Sequence, residues 1–245
     1  MKILAIDTSG EIANAAILTE NMTIGEVSLN ARQGEKAWTH SEILMPAVQN
    51  LFNSTGLRVQ EMDYVAYTSG PGSFTGLRIG ASCALGIAKA QNIPAIAVPT
   101  LDAMAYNVYK LCNRHIVMPM MDARREQVYF AVYITSKTGI TRITEYAALP
   151  VTEALKQLPF ANPENIIFLG DGADAYHEIL QEHLPDACYA PLNNNRQRAS
   201  GLGLAALEMI ASGMSFDAPP ELIYVRQPQA VREAAAKQNI QGDAL

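Results

Sequence analysis

Acidic residues follow three predicted strands and could do chemistry at a strand edge. Asp7 ends the first strand, Asp122 ends one in the middle of the chain, and a Gly-Asp-Gly triplet at 170–172 follows a later one. Carboxylates at adjacent strand ends could hold a magnesium ion and the phosphates of ATP or ADP between two lobes. The candidate cofactor-binding residues are therefore Asp7, Thr8, Asp122, Gly170 and Gly172. Acidic residues at strand ends also cap turns and helices, and this structural alternative has at least equal weight.

A glycine-rich segment at 70–80 joins an apolar strand to a helix. Gly70, Gly72 and Gly76 let the backbone turn sharply and present bare amides, so the loop could cradle an anion. The spacing departs from the dinucleotide fingerprint because Thr75 stands where the third glycine belongs. The chain also has no Gly-Lys-Ser or Gly-Lys-Thr of a Walker A loop. The spacing favours a close-packed strand-to-helix corner.

The histidines and cysteines form no metal motif. The four histidines make neither an H-E-x-x-H pattern nor a pair at helical i, i+4 spacing. The three cysteines, Cys83, Cys112 and Cys188, are widely spaced and never in a C-x-x-C pair. We therefore expect no metal site, and a reducing cytoplasmic environment.

Composition limits the classes of protein to which the chain can belong. With 245 residues and 49% hydrophobic content it can bury one large core or two smaller ones. The net charge of -6 argues against an autonomous nucleic-acid binder, so an RNA partner would need another subunit to supply the cationic surface. No apolar run approaches the length of a membrane span, and a signal-peptide core is missing. We expect a cytoplasmic protein without a membrane partner.

The predicted elements occur in an order that largely repeats. In the first half, strands at 1–6, 12–19 and 23–29 precede a helix at 39–53, a strand at 63–69, a helix at 76–91, a strand at 93–98 and a helix at 101–111. In the second half, strands at 115–121, 126–135 and 140–147 precede a helix at 151–158, a strand at 166–169 and helices at 173–182 and 200–212. The pattern predicts two α/β subdomains, each a mixed sheet flanked by helices.

The predicted subdomains cover residues 1–113 and 114–226. A tail follows at 227–245, and residues 221–225 are expected to return to the core. The first subdomain is expected to bind a partner.

Two helices of the first half have more apolar surface than one core contact needs. Between Arg78 and Lys89 the second of them contains only Ile, Leu, Ala, Gly, Ser and Cys. This helix could be a central core helix. We prefer the interpretation that it is partly buried in the monomer and that another subunit covers the rest of its apolar surface. The candidate partner-binding residues are Ile43, Met45, Phe52, Leu77, Arg78, Ala81, Ala84 and Leu85.

Four segments together resemble the TsaB (YeaZ) family of tRNA threonylcarbamoyladenosine biosynthesis proteins. They are Leu-Ala-Ile-Asp-Thr-Ser at 4–9, the glycine block at 66–80, Met-Asp-Ala-Arg at 121–124 with Glu126 and Tyr129, and Ile-Tyr-Val-Arg at 223–226. The resemblance covers nearly the whole chain to Arg226. It implies the duplicated, ribonuclease H-like fold of the actin, Hsp70 and sugar-kinase superfamily.

The resemblance also implies a function. The family is paralogous to TsaD, the catalytic subunit that transfers a threonylcarbamoyl group from threonylcarbamoyl-adenylate to N6 of adenosine 37 (t6A37) in tRNAs reading codons that begin with A. Two metal-binding histidines of TsaD-like chains align with Thr100 and Met104, so the transferase metal site is expected to be missing. This implies a non-catalytic subunit that binds and regulates TsaD together with the ATPase TsaE, reaches tRNA through the complex and forms a homodimer alone.

Two rival functions stay open. An ATP- and magnesium-dependent phosphotransferase of the same superfamily would use Asp7 and Asp122. A peptidase would need a metal site or a catalytic triad, and the sequence has neither in recognisable form.

Overall fold

The computed structural model describes residues 1–30, 38–109, 115–137, 139–216 and 221–226. Its first sheet has the strand order β3-β2-β1-β4-β5. The strands are β1 Ile3–Asp7, β2 Ile12–Leu18, β3 Thr23–Asn30, β4 Tyr64–Gly70 and β5 Ala95–Pro99. β1 to β3 form the predicted antiparallel meander, and β1, β4 and β5 run parallel. β1 lies in the centre and is wholly buried, as its apolar sequence requires.

Helices α1 His40–Thr55, α2 Phe74–Gln91 and α3 Thr100–Ala105 accompany this sheet. Thr39 and Glu42 form a capping box at the start of α1, and Gly56 ends the helix in a left-handed conformation with φ 69°. α2 begins two residues earlier than predicted because the Ser73 hydroxyl caps it by accepting a hydrogen bond from the Gly76 amide. α3 is shorter than predicted; a 3₁₀ turn follows it, and residues 110–111 of the expected helix lie outside the described residues.

The second sheet has the order β10-β7-β6-β11-β12, with β8 paired to β6 and β9 paired to β8. Its strands are β6 Ile116–Asp122, β7 Gln127–Phe130, β8 Tyr133–Thr135, β9 Ile140–Arg142, β10 Ala147–Pro150, β11 Ile166–Leu169 and β12 Cys188–Tyr189. Helices α4 Val151–Leu155, α5 Asp171–Ala175 and α6 His177–His183 accompany this sheet. Two mixed sheets flanked by helices confirm the predicted fold class.

Three predicted elements of the second half are interrupted. The strand expected at 126–135 is split into β7 and β8, which pair with β6 in one continuous register that places Pro119 opposite Ala131. Pro119 has no amide hydrogen to donate, so the ladder breaks there. The strand expected at 140–147 becomes β9 and β10, and the helix expected at 173–182 breaks at Tyr176 into α5 and α6.

The last described helix returns to the first sheet. Helix α7, Ala199–Ala211, buries Ala199, Leu202, Ala205 and Ala206 in the core that contains β1 and β2. A Cβ on Gly203 would lie 2.2 Å from the Leu18 side chain, so glycine permits this close contact. β1 to β5 with α1 to α3 and α7 are called the first lobe, and β6 to β12 with α4 to α6 the second lobe. The predicted boundary between residues 113 and 114 stays a prediction, since 110–114 are outside the described residues.

Residues 221–226, called the strap, return to the core as predicted. The Ile223 amide donates a 2.7 Å hydrogen bond to the carbonyl of Ser69 at the end of β4, and Leu222 packs against the first-lobe core. Among the described residues, no helix is both long and apolar enough to cross a membrane.

Candidate functional site

A cleft of about 640 Å³ lies between the two lobes. Segments from both lobes and the strap line it: residues 9–11, 38–40, 71–75 and 79 from the first lobe, 121–124, 129 and 171 from the second, and 223–226 from the strap. Its volume is typical of a small-molecule site. All four segments that carry the family resemblance contribute to its walls.

Asp7 lies at the end of β1 but is turned away from the cleft into the core. Its side chain is fully buried, and one carboxylate oxygen accepts hydrogen bonds from the Ser9 amide at 2.8 Å, the Ser9 hydroxyl at 2.6 Å and the Thr68 hydroxyl at 3.0 Å. Burial raises the pKa of this carboxyl, and the three hydrogen bonds offset part of the rise. The residue is thus held as an internal anchor of the turn after β1.

His40, the first residue of α1, is the titratable neighbour of Asp7. Burial lowers the pKa of its imidazole, while the Asp7 carboxylate and a hydrogen bond to the Glu11 backbone raise it in part. The second carboxylate oxygen of Asp7 and Nε2 of His40 are buried without a hydrogen-bond partner in the structure. The imidazole lines the cleft, whereas Asp7 does not reach its wall.

Thr8 packs against the glycine corner, residues 70–80. In a phosphate-binding loop, the space between these segments would be open to the ligand. The Thr8 hydroxyl donates to the Gly76 carbonyl at 2.7 Å. A Cβ on Gly76 would lie 2.0 Å from the Thr8 carbonyl oxygen, and one on Gly72 would lie 2.5 Å from that of Ser9. The Ser73 amide donates to the Ser9 carbonyl at 2.7 Å. These glycines therefore serve close backbone approach.

Asp122 is the one candidate cofactor residue that lines the cleft. One of its oxygens accepts hydrogen bonds from the Arg124 amide at 2.8 Å and the Tyr176 hydroxyl at 3.1 Å, and the other pairs with the Arg124 guanidinium at 3.1 Å. Three nearby residues, Arg124, Arg125 and Glu126, have φ values of 63°, 58° and 58°. Three successive left-handed non-glycine residues store backbone strain beside the cleft.

Gly170 and Gly172 hold α5 against β6 instead of facing the cleft. A Cβ on Gly170 would lie 2.0 Å from the Met120 carbonyl oxygen, and one on Gly172 would lie 2.9 Å from the Met120 carbonyl carbon. The Gly170 amide already donates to Asn195 Oδ1 at 2.8 Å. Asp171, between them, does line the cleft. Burial raises the pKa of its carboxyl even though the Arg196 guanidinium lowers it.

Several cleft residues were not singled out as site residues from the sequence. They are the aromatic residues Trp38, Phe74 and Tyr224, together with His40. Phe74 lies in the family segment at 66–80 and Tyr224 in the one at 223–226. The resemblance of these segments is the sequence signal that could have marked both as cleft residues. Trp38 lies just before α1 and His40 is its first residue, and neither belongs to a motif found in the sequence.

The described residues contain no group of three histidine, cysteine or acidic side chains that could hold a metal ion. Thr100 and Met104, at the positions aligned with metal-binding histidines, are both buried in α3. Thr100 and Met104 pack inside the protein and do not line the cleft.

The expected partner-binding residues separate into two groups. Leu77, Ala81 and Ala84 are 1%, 6% and 0% exposed, so the core of the first lobe already covers them and they are corrected to internal positions. Ala81 and Ala84 pack in one core cluster with residues of β1 and β4, and the Leu77 side chain lies against Gly70 at the end of β4. Met45 and Leu85 are 44% and 38% exposed, Arg78 is exposed, and Ile43 and Phe52 are half-buried. Ile43, Met45, Phe52, Arg78 and Leu85 are called the partner surface.

Comparison with known proteins identifies the family. The family model described as "TsaD: tRNA N6-adenosine threonylcarbamoyltransferase" matches residues 34–239. The tRNA threonylcarbamoyladenosine biosynthesis protein TsaB of Escherichia coli is 30% identical over 74% of this chain and 76% of its own length. TsaB of Bacillus subtilis is also 30% identical, over 75% of this chain and 77% of its own.

A solved structure agrees with the fold. YeaZ from Pseudomonas aeruginosa superposes with a TM-score of 0.73 at 24% identity, covering 91% of this chain and 99% of that one. The match agrees with the predicted fold class, two mixed sheets flanked by helices. The chain belongs to the TsaB (YeaZ) family of tRNA threonylcarbamoyladenosine biosynthesis proteins.

Proposed function

We propose that this chain is a non-catalytic subunit required for threonylcarbamoyl transfer to N6 of adenosine 37 in tRNA. It acts by binding and regulating a TsaD-like catalytic subunit, together with a TsaE-like ATPase, and reaches tRNA through that complex in the cytoplasm. Membership in the TsaB family supports the pathway. The geometry of the cleft and of α2 supports the proposed role of the chain in that pathway.

One observation carries the non-catalytic part of the proposal. In an actin-like phosphotransferase, the turn after the first strand would have to present free backbone amides to a phosphate. Here Gly72 and Gly76 bring the glycine corner to within van der Waals contact of that turn, and Asp7 is consumed by hydrogen bonds to Ser9 and Thr68. Asp7 is fully buried and does not line the cleft, so its carboxylate does not face a ligand there.

The partner surface supports the binding role. α1 and α2 lie side by side, and Met45 and Leu85 expose apolar side chains on them while Arg78 adds a cation. Gly86, on the same helix, has no atom within 4 Å of an added Cβ, so another helix could approach closely there. Exposed apolar side chains beside an arginine and a small residue suit a protein interface. The same surface would form the homodimer when the catalytic subunit is missing.

The rival function is an ATP- and magnesium-dependent phosphotransferase. It needs Asp7 and Asp122 to share a metal-bound phosphate, and it would draw on the cleft aromatics for the base. Calorimetry with ATP and magnesium discriminates the two functions. Binding that Asp7→Ala removes from a folded chain would favour the rival.

Reconstitution tests the proposal itself. TsaD and TsaE are incubated with tRNA and threonylcarbamoyl-adenylate, and formation of the modified nucleoside is followed with and without this chain. We expect omission to lower the rate at least tenfold. An unchanged rate would show that the chain is not a required subunit.

A further inference from the structure

The strap contacts both lobes across the mouth of the cleft. On the first lobe the Ile223 amide donates to the Ser69 carbonyl at 2.7 Å. On the second lobe the Arg226 guanidinium donates to the Ala123 carbonyl at 2.7 Å. Only Tyr224 and Val225 stand between these two anchors, so a short piece of chain ties the lobes together at the cleft.

Tyr224 joins this strap to α2. Its ring centroid lies 5.2 Å from that of Phe74, and its hydroxyl accepts a 3.3 Å hydrogen bond from Nε of Arg78. The Arg78 guanidinium lies 3.9 Å over the Phe74 ring. Arg78 belongs to the partner surface, and Tyr224 is 41% exposed beside it. This stack, in which Arg78 lies on the Phe74 ring and donates to the hydroxyl of the adjacent Tyr224, therefore connects the partner surface with the strap.

The charge of Arg78 indicates what this stack would meet. Among the described residues no carboxylate forms an ion pair with Arg78, whereas Arg124, Arg196 and Arg198 are each paired. Arginine on an aromatic face is a frequent interface anchor, and its guanidinium pairs strongly with a carboxylate of the partner. The exposed stack is thus complementary to a protein surface that carries an acidic side chain.

We propose that the strap is part of the partner surface, and that docking of the catalytic paralogue on Arg78 and Tyr224 holds the two lobes at one cleft opening. The proposal rests on the proposed function, which supplies the partner. Binding and lobe position are coupled reciprocally, so a strap that is already anchored favours docking, and docking strengthens the anchors. Loosening the strap at the far anchor, Arg226, must then weaken binding at α2.

Hydrogen exchange in the free full-length chain tests the anchors. Arg226→Ala and Arg78→Ala should each speed amide exchange in the segment 221–226 by about tenfold, since each removes a hydrogen bond that involves a charged group. Lys89→Ala is the matched control, because Lys89 is exposed on the same helix about three turns beyond Arg78. Unchanged exchange in both arginine variants would show that the strap is not anchored in this way.

The affinity for the purified TsaD-like subunit tests the coupling. Arg226 lines the cleft, and within the described ranges it makes no hydrogen bond to α1 or α2, yet Arg226→Ala should weaken binding by about tenfold. Arg226→Lys can still donate to the Ala123 carbonyl and should restore most of the affinity. In the wild-type chain, bound partner should slow exchange of the Ile223 amide.

The outcomes separate this inference from the proposed function. If the wild-type chain binds and stimulates the catalytic subunit while Arg226→Ala binds equally well, the coupling is wrong and the proposed function stands. If the wild-type chain does not bind that subunit, both are wrong.

Discussion

The hydroxyl of Thr8 donates a 2.7 Å hydrogen bond to the backbone carbonyl of Gly76, which fastens the end of β1 to the first turn of α2. Both groups are buried, so the bond is shielded from water. The turn after β1 is therefore a structural joint. The glycine corner positions α2, which carries Arg78 and Leu85 of the partner surface.

This joint predicts an asymmetry between two glycines of α2. Gly76→Ala should lower the free energy of unfolding by roughly 1–3 kcal/mol, because its Cβ would overlap the Thr8 carbonyl oxygen, which cannot move without shifting β1. The Cβ of Gly86→Ala would enter open space, and this variant should raise the free energy of unfolding by roughly 0.5–1 kcal/mol through helix propensity. Urea unfolding of both variants measures the difference. Equal stabilities would mean that the corner is not tightly packed.

The buried carboxyl of Asp7 predicts a pH-dependent effect of Asp7→Asn. Burial raises the folded-state pKa of this acid above 3.8, so the stability linked to its proton is complete below that value and is lost as pH rises through the folded pKa. An amide cannot ionise, and it can still accept the hydrogen bonds from Ser9 and Thr68. The variant should therefore gain stability relative to the wild type as pH rises from about 4 toward neutrality.

Urea unfolding of the wild type and Asp7→Asn across that range checks the sign. A stability difference that narrows as pH rises would mean that Asp7 is stabilised as a carboxylate, for example by a bound cation.

Charged substitutions on α2 should separate binding from folding. Leu85→Glu should weaken binding to the catalytic paralogue by about thirtyfold, equivalent to about 2 kcal/mol for a well-packed interface residue, with little loss of stability. Ala84→Glu should unfold the first lobe, since Ala84 is 0% exposed. Binding titrations and circular dichroism measure the two effects. Phe160→Glu, on a fully exposed residue of the second lobe, is the control and should bind normally.

Glu26 on β3 joins the start of α7 to the first sheet. We therefore expect a stability effect at a site remote from the cleft. The Glu26 carboxylate accepts hydrogen bonds from the Ser200 amide at 3.0 Å and hydroxyl at 2.9 Å, and it also pairs with Arg198. Glu26→Gln should cost roughly 1.5–3 kcal/mol of unfolding free energy. Glu20→Gln, an exposed acid that pairs only with the N-terminal amine among the described residues, should cost under about 1 kcal/mol. Similar losses would mean that Glu26 does not hold α7.

Local patterns were sufficient to predict most elements of the fold. The capping residues of α1, its terminal Gly56, and the apolar runs of β1 and β4 are decided by neighbours in the chain. The breaks in the second lobe were less predictable because they depend on pairing across the sheet. The effect of Pro119 on its partner strand can be predicted only when β6 and β7 are known to be neighbours.

The site was harder to predict because it depends on side-chain direction. α2 is apolar on nearly all sides, so its sequence could not show that Ala81 and Ala84 face the core while Leu85 faces solvent. Asp7 ends its strand as predicted, but Ser9 and Thr68 hold its carboxylate inside the lobe. The contacts of the strap with Ser69 and Ala123 join residues more than a hundred positions apart, and no local pattern encodes them.

The central claim is that the chain acts by binding a catalytic paralogue and performs no chemistry of its own. The most direct measurement is the rate of threonylcarbamoyladenosine formation by TsaD and TsaE at a limiting concentration of wild type, Asp7→Asn or Leu85→Glu. We expect the wild type and Asp7→Asn to support the same rate, and Leu85→Glu to support a rate at least tenfold lower. A folded, partner-bound Asp7→Asn chain that supports no reaction would contradict the claim, as would full activity without any added chain.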